Sequence, residues 1–391
     1  MMDALVTVAG NTAAVAQVPI PHAGPNEIRV KVHSIALNPV DALYSAHQVD
    51  KPGRVVGSDI AGYVDQIGEG VSNWEVGDRV AGLLQGATSA NPRPGGFATY
   101  AILESDLAIA IPEDVSFDDA ASLPLCALTA AQALYIRLGL NPPFPGSPYS
   151  KPPVQAHSDG SAPVILVYSA ATSLGLYTVQ LAKLLRYQSP EGEEKTITVI
   201  TTSSPKHFGK LQGLGADAVF DYRDSSWPEQ VRKAYPDGID YAVDCISEGD
   251  TTGVMSDLYR TGGGVIAVIR AVAWNKERVR SDVTPLYGAV WSGLGYDIIY
   301  NGATLRAPPS SRALTVAFYQ WLSHGSPTNP KVFPIDPNPV RLMPGGLKEV
   351  AADGFVLLGG GDMAQRAALR GGEDVPLHMR PISGEKLVYR V

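Results

Sequence analysis

Cysteine is scarce in this chain: only Cys126 and Cys245 occur in 391 residues. Two are too few for a disulfide framework or a cysteine-based structural zinc site, and they suit a reducing compartment. Positive charge is also short. A net charge of −8 argues against nucleic acid or an anionic membrane as the main partner. No apolar run approaches the ~18 residues needed to span a bilayer, and the opening MMDALVTVAGNTAAV has no basic flank ahead of an apolar core. The sequence therefore reads as soluble and cytoplasmic. What is present is a hydrophobic content of 45%, enough for a large interior. Because one core seldom extends far beyond ~250–300 residues, two domains are expected.

The strongest local pattern is Ala162 to Arg186, where an apolar run closes on a small-residue turn and opens into an amphipathic helix. Val164, Ile165, Leu166, Val167 and Tyr168 form a buried parallel strand, and the following turn offers backbone N–H groups and a helix N-terminus to a pyrophosphate. The turn Ser169-Ala170-Ala171-Thr172-Ser173-Leu174-Gly175 keeps only the last of the glycines usual in such a motif. Alanine and serine still let a phosphate approach the backbone, and the hydroxyls of Ser169, Thr172 and Ser173 are further donors. A buried strand and helix without a ligand is the competing account of this segment alone.

The segments that follow support a nucleotide unit. Thr196 to Ile200 is a second β-branched strand, with Tyr187 to Lys195 as a connecting loop. An NAD-selective site would end that strand in an acidic residue for the ribose 2′-hydroxyl. Here it ends Thr201-Thr202-Ser203-Ser204-Pro205-Lys206-His207, where hydroxyls and a lysine suit a 2′-phosphate and favour NADPH. A solvated lysine at a helix start is the alternative for Lys206. Ala218 to Tyr222, Gly238 to Cys245 and Gly264 to Ile269 add strands, separated by helices such as Trp227 to Ala234. The alternation is that of a doubly wound α/β sheet.

Ahead of it, Glu27 to Val32, Ile60 to Ile67 and Arg79 to Gly82 alternate and are broken by glycine-rich turns, as in a compact β-barrel. Three pieces stand out there: Asn38-Pro39-Val40-Asp41; Gly57-Ser58-Asp59-Ile60-Ala61-Gly62; and Gly68-Glu69-Gly70-Val71 followed by Val76-Gly77-Asp78-Arg79-Val80. With these the chain resembles the medium-chain dehydrogenase/reductase superfamily over nearly its whole length. Pro344-Gly345-Gly346-Leu347 and Ser383-Gly384-Glu385-Lys386-Leu387-Val388-Tyr389 match its closing segment. The resemblance implies a GroES-like β-barrel catalytic domain over 1–127, a Rossmann NADPH-binding domain over 128–300 with a proline-rich loop at 141–163, and a return to the catalytic domain over 301–391.

Zinc members of that superfamily use an early cysteine and a Gly-His-Glu motif. Leu37, Asn38 and Ser58-Asp59 stand at those places here, so no metal is expected. The resemblance narrows to the zinc-free branch, and within it to the trans-acting enoyl reductases of fungal highly reducing polyketide synthases, the lovastatin type. The residues shared are Asn-Pro-x-Asp, Ser204-Pro205-Lys206-His207-Phe208, Phe220-Asp221-Tyr222-Arg223 and the closing Ser-Gly-Glu-Lys-Leu-Val-Tyr. The resemblance implies a monomer that uses NADPH to reduce the α,β-double bond of a polyketide thioester held on an acyl carrier protein domain of the synthase.

It also implies a site. Val40, Asp41, Ala42 and Leu43 are expected along the nicotinamide side, with Ile269, Arg270, Ile382 and Ser383. Ala170, Ala171, Thr172 and Ser173 are expected at the pyrophosphate, Ser204, Pro205, Lys206 and His207 at the 2′-phosphate, and Tyr222 against the adenosine. Thr129 is expected near the nicotinamide and the thioester, with Ala130, Ala131, Gln132, Ala133, Leu134, Tyr135 and Ile136 continuing the wall. Gly288, Ala289, Val290, Trp291 and Ser292 are expected in the substrate channel. A packing threonine at 129 and a plain edge strand at 288–292 are the rival accounts. Ala42 and Leu43 follow Asp41 where relatives often carry a proton donor, and Tyr44 and His47 are the nearest proton carriers, so the proton donor stays unassigned. A zinc-free quinone or alkenal reductase and a non-catalytic NADPH-binding scaffold are the other two readings.

Overall fold

The computed structural model describes residues 1–300, 303–359 and 375–391. The chain forms two compact units, one of Met1–Leu125 with Trp291–Val391 and one of Cys126–Val290. Residues 291–300, which the sequence reading joins to the nucleotide unit, thus belong to the first unit, and residues 301, 302 and 360–374 of the expected C-terminal return lie outside the described residues.

The first unit opens with a hairpin of β1 (Met2–Val8) and β2 (Thr12–Val18). It continues through β3 (Glu27–Ala36), α1 (Pro39–Ala46), β4 (Asp59–Ile67), β5 (Arg79–Leu83), β6 (Tyr100–Glu104), β7 (Ala108–Ala110) and α2 (Phe117–Ala121). In β3, Ile28, Val30 and Val32 are buried while Lys31 faces outward, the period of two that a half-buried strand requires. Gly57 has φ +101°, and a Cβ there would stand 2.1 Å from the ring of the fully buried Phe97. That close approach accounts for glycine at this place in the Gly-Ser-Asp motif.

The second unit begins within α3 (Pro124–Ala131), which runs on as a π-helical turn over Gln132–Arg137. It contains β8 (Val154–Gln155), β9 (Val164–Tyr168), α4 (Ser173–Lys183), β10 (Arg186–Gln188), β11 (Glu194–Thr196), β12 (Thr198–Ser203), α5 (Phe208–Gly213) and β13 (Ala218–Asp221). Then come α6 (Trp227–Ala234), β14 (Tyr241–Asp244), α7 (Thr251–Ser256), β15 (Gly264–Val268) and β16 (Val283–Tyr287). The six-stranded sheet has the order β13-β12-β9-β14-β15-β16 and is parallel throughout. This is the doubly wound order of a Rossmann domain, which reverses direction beside its first strand, β9. Residues 187–195 are not a bare loop: β10 pairs antiparallel with β11 and parallel with β8 of the proline-rich stretch. The expected strand Thr196–Ile200 accordingly begins later, at Thr198, because Thr196 pairs with Arg186.

The chain returns to the first unit with β17 (Ile298–Tyr300), β18 (Ala303–Leu305), α8 (Pro309–Ser323), β19 (Val340–Leu342), α9 (Phe355–Leu358) and β20 (Lys386–Arg390). The barrel sheet runs β19-β20-β3-β4-β5-β7, with β6 also on β3. β20 lies antiparallel to β3 with Val388 opposite Ala36 and Arg390 opposite Ser34. Continuing that register carries Lys386 to Asn38, at the start of α1.

Candidate functional site

In the second unit the turn after β9 is fixed by its own side chains. Ser169 has φ +57°, and Thr172 caps α4, its Oγ1 accepting from Gly175 N at 3.0 Å while donating to Ser169 O at 3.0 Å. A Cβ on Gly175 would come within 2.6 Å of the Ala170 backbone, so only glycine permits this packing of helix on strand. The sequence reading is amended at two residues. Ala170 is fully buried and its N–H bonds Thr202 O at 2.9 Å, and the Thr172 hydroxyl is spent on the cap. Ala171 and Ser173 keep exposed surface on the turn.

At the end of β12, Ser204 is buried, Pro205 and Lys206 are exposed and His207 is half-buried. Ser203 is paired in register with Asp221 of β13, so the two strand ends lie side by side. Tyr222 is exposed at 37% and its ring lies 6.3 Å from that of Tyr168. Ile269 N donates to Ser247 Oγ at 3.0 Å, and Arg270 pairs with Glu248 at 3.0 Å.

Of the expected substrate wall, Thr129 and Ile136 keep exposed surface. Ala130, Ala131, Ala133, Leu134 and Tyr135 are fully buried and serve packing, because this turn is covered on every side. Gln132 donates to Val290 O at 3.0 Å. Arg137, which the sequence reading passed over inside the apolar run Ala133–Leu140, donates to Thr129 O at 3.3 Å and Gly288 O at 3.4 Å. Burial pulls its guanidinium down to about 10. The edge strand β16 stops at Tyr287; Gly288 follows it, Ala289 and Val290 are buried, and Trp291 and Ser292 enter a 3₁₀ turn of the first unit.

In the first unit, α1 carries Val40 and Leu43 half-exposed, while Asp41 and Ala42 are buried. The Asp41 carboxylate turns into a dry polar cluster. It accepts from Asn38 N and from Ser58 Oγ, each at 2.8 Å. Asn38 Nδ2 donates to Asp59 Oδ2 at 2.9 Å, Leu125 N donates to Asp59 Oδ1 at 2.8 Å, and the Lys386 ammonium lies 3.2 Å from Asp59 and also donates to Asn38 Oδ1. Burial pushes Asp41 up to about 7; its bonds to Asn38 and Ser58 oppose that, the charge of Asp59 adds to it and Lys386 reduces it. Burial also raises Asp59, against the pull of Lys386. Ile382 and Ser383 are half-exposed just before this strand, and Glu385 is tied to Arg341 at 3.0 Å.

The positions that hold zinc ligands in metal-dependent members thus hold an amide, a hydroxyl and a carboxylate that already has an ammonium against it. That donor set does not fit zinc. Among the described residues no group of three or more His, Cys, Asp or Glu is gathered as metal ligands.

Residues 24–113 match the alcohol dehydrogenase GroES-like domain, and residues 173–286 match the zinc-binding dehydrogenase domain. Trans-enoyl reductase ACTTS2 of Alternaria alternata is 34% identical over 72% of this chain and 75% of its own. Trans-enoyl reductase caaB of Aspergillus niger is 30% identical over 98% of this chain and 95% of its own. The chain belongs to the trans-enoyl reductases of the medium-chain dehydrogenase/reductase superfamily. The crystal structure of CurK enoyl reductase shares the fold, with a TM-score of 0.69 at 19% identity, covering 100% of this chain and 99% of that one. The structure of mycobacterial Rv1454c complexed with NADPH does so with a TM-score of 0.65 at 19% identity, covering 100% of both chains. Of this trans-enoyl reductase, then, the barrel unit and the Rossmann unit are both family features, whereas the packing of Ala130–Tyr135 had to be read from the structure.

Proposed function

We propose that this chain is an NADPH-dependent enoyl reductase that acts in trans, reducing the α,β-double bond of a polyketide thioester carried by the acyl carrier protein domain of a highly reducing synthase. The observation that carries this reading is its likeness to trans-enoyl reductases along almost the entire chain. Bound NADPH would supply the hydride for the β-carbon. The chain's own work is to hold and orient. The N–H groups at the start of α4 suit the pyrophosphate, and Lys206 with Ser204, at a strand end without a carboxylate, suits the 2′-phosphate. Tyr222 suits the adenosine face. Val40, Leu43, Thr129 and Ile136 have the exposed surface that nicotinamide and acyl chain require. Negative charge develops on the thioester oxygen as the β-carbon is reduced, and protonation of the α-carbon, by a donor left unassigned, completes the reduction.

Edge strand β16 contains Pro285, a residue that cannot donate to a sheet and so favours a monomer. The test follows NADPH absorbance with the purified protein and an α,β-unsaturated acyl thioester, with a simple quinone in parallel. Oxidation with the thioester and not the quinone is the expected result. Turnover of the quinone alone replaces the reading by a quinone reductase, and NADPH binding without turnover of free or carrier-bound thioester replaces it by a scaffold.

A further inference from the structure

The polar cluster behind α1 holds more negative than positive groups. Asp41 and Asp59 are 2% and 0% exposed, and Lys386 is 2% exposed. Among the described residues, the charged groups that act on Asp41 are Asp59 from β4 and Lys386 from β20. One ammonium cannot neutralise two carboxylates in a dry interior, and an uncompensated buried charge is the costly member of such a set. The ammonium sits on Asp59 and not on Asp41. Asp41 is left with one backbone N–H and the Ser58 hydroxyl, a pair that serves a neutral carboxyl equally well, because Ser58 accepts when the carboxyl donates. A proton on Asp41 would remove the surplus charge.

The cluster also grips one particular element. Asn38 is the residue before α1, and its side chain is held at both ends, the amide nitrogen by Asp59 and the amide oxygen by Lys386. Asp41 holds the first turn through Asn38 N, and Ser45 Oγ donates to Asp41 O at 2.8 Å one turn later. These residues thus hold the start of α1 from both β4 and β20. Val40 and Leu43, the exposed residues of that turn, move with it.

We propose that Lys386 and protonated Asp41 are positioning residues for the cofactor: the last strand's ammonium fixes Asn38, the proton on Asp41 keeps the cluster neutral, and loss of either releases the first turn of α1 from the place where it meets the nicotinamide. This rests on the reading that α1 faces NADPH. Both residues are buried and would act through Asn38 and the first turn of α1. The consequence is a dependence of cofactor binding on pH. When Asp41 ionises, two buried carboxylates share a single ammonium, and α1 loosens. Burial places that ionisation near neutral pH, so NADPH binds tightly on the acid side and weakens on the alkaline side.

The experiment is a fluorescence titration of NADPH from pH 6 to 9, which needs no turnover, on the wild-type chain, Asp41→Asn, Lys386→Met and Lys386→Arg. The 2′-phosphate of the cofactor titrates alike in all four, so the differences between them isolate the protein. The wild-type dissociation constant should rise about tenfold across neutral pH, whereas that of Asp41→Asn should stay level on the alkaline side. Lys386→Met should weaken binding at every pH, and Lys386→Arg should recover most of the loss. If Asp41→Asn follows the wild-type curve, or if Lys386→Met binds NADPH within twofold of wild type, the proposal is wrong. Should Lys386→Met fail to fold, Asp41→Asn and Lys386→Arg carry the same decision. A normal pH profile of binding with no reductase activity would count against the enoyl reductase reading and leave the positioning role standing.

Discussion

Gly57 lies directly beneath the ring of Phe97, so that a Cβ at Gly57 would stand 2.1 Å from the ring carbon Cδ1. The two residues cannot both carry side chains in their present places. Gly57 also has φ +101°, a region costly for any other residue. Gly57→Ala should therefore destabilise the first unit by about 2 kcal/mol or more, through strain and displacement of a core ring. Chemical denaturation compared with wild type checks this, and a change under ~0.5 kcal/mol would show that the contact is easily relieved.

Lys206→Ala should weaken NADPH about tenfold or more while leaving NADH nearly unchanged, because a charge-assisted bond to a 2′-phosphate contributes roughly 1.5–3 kcal/mol. Paired titrations with the two cofactors are the measurement. Equal losses would remove Lys206 from the 2′-phosphate.

How far the sequence reached differs between the two halves of the site. The strand at Val164–Tyr168, the helix at Trp227–Ala234 and the parallel sheet followed from β-branched runs separated by helical ones, a signal carried within each segment. Ala130 to Tyr135 did not follow. Small and apolar residues suit a channel wall and a core equally, and only tertiary packing tells which face of a helix is covered. The role of Lys386 was invisible for a different reason: its partners, Asn38 and Asp59, are more than three hundred residues away, and their meeting depends on the register of β20 on β3. The strands at 186–188 and 194–196 were missed because polar residues between two strong strands read as a loop.

Asp41 should leave a signature in the pH dependence of stability. Its folded value of about 7 lies above its ordinary 3.8, so the folded state holds the proton more tightly than the unfolded chain does. The stability it contributes is full below about pH 4 and is lost as pH rises to about 7, by an amount of order a few kcal/mol. Asp59 is shifted in the same direction, and the comparison that isolates Asp41 is wild type against Asp41→Asn. The stability difference between them should move in favour of the variant from pH 4 to pH 8. A difference that stays constant would show that Asp41 ionises freely in the fold.

His157 joins the proline-rich stretch to the sheet. Its Nε2 lies 3.2 Å from Asp240, Arg260 donates to its Nδ1 at 2.7 Å, and Arg260 pairs with Asp240 at 3.0 Å. Asp240 in turn accepts from Val164 N at 2.8 Å, at the start of β9. His157→Ala should speed hydrogen exchange in residues 150–163 without altering NADPH affinity, since the phosphate turn lies at the other end of β9. Unchanged exchange would mean that β8 alone secures the stretch.

The pairing of β20 with β3 also bears on how the protein is made. The barrel's polar centre receives its ammonium from Lys386, a residue made only after the whole nucleotide-binding unit. Until then the early strands hold Asp59 without its counter-ion, and a barrel closed in that state would bury a bare charge. The first unit's polar centre is therefore complete only once the second unit has been made. A chain interrupted between Val290 and Lys386 would hold all of the second unit beside a first unit that lacks the strand carrying this counter-ion.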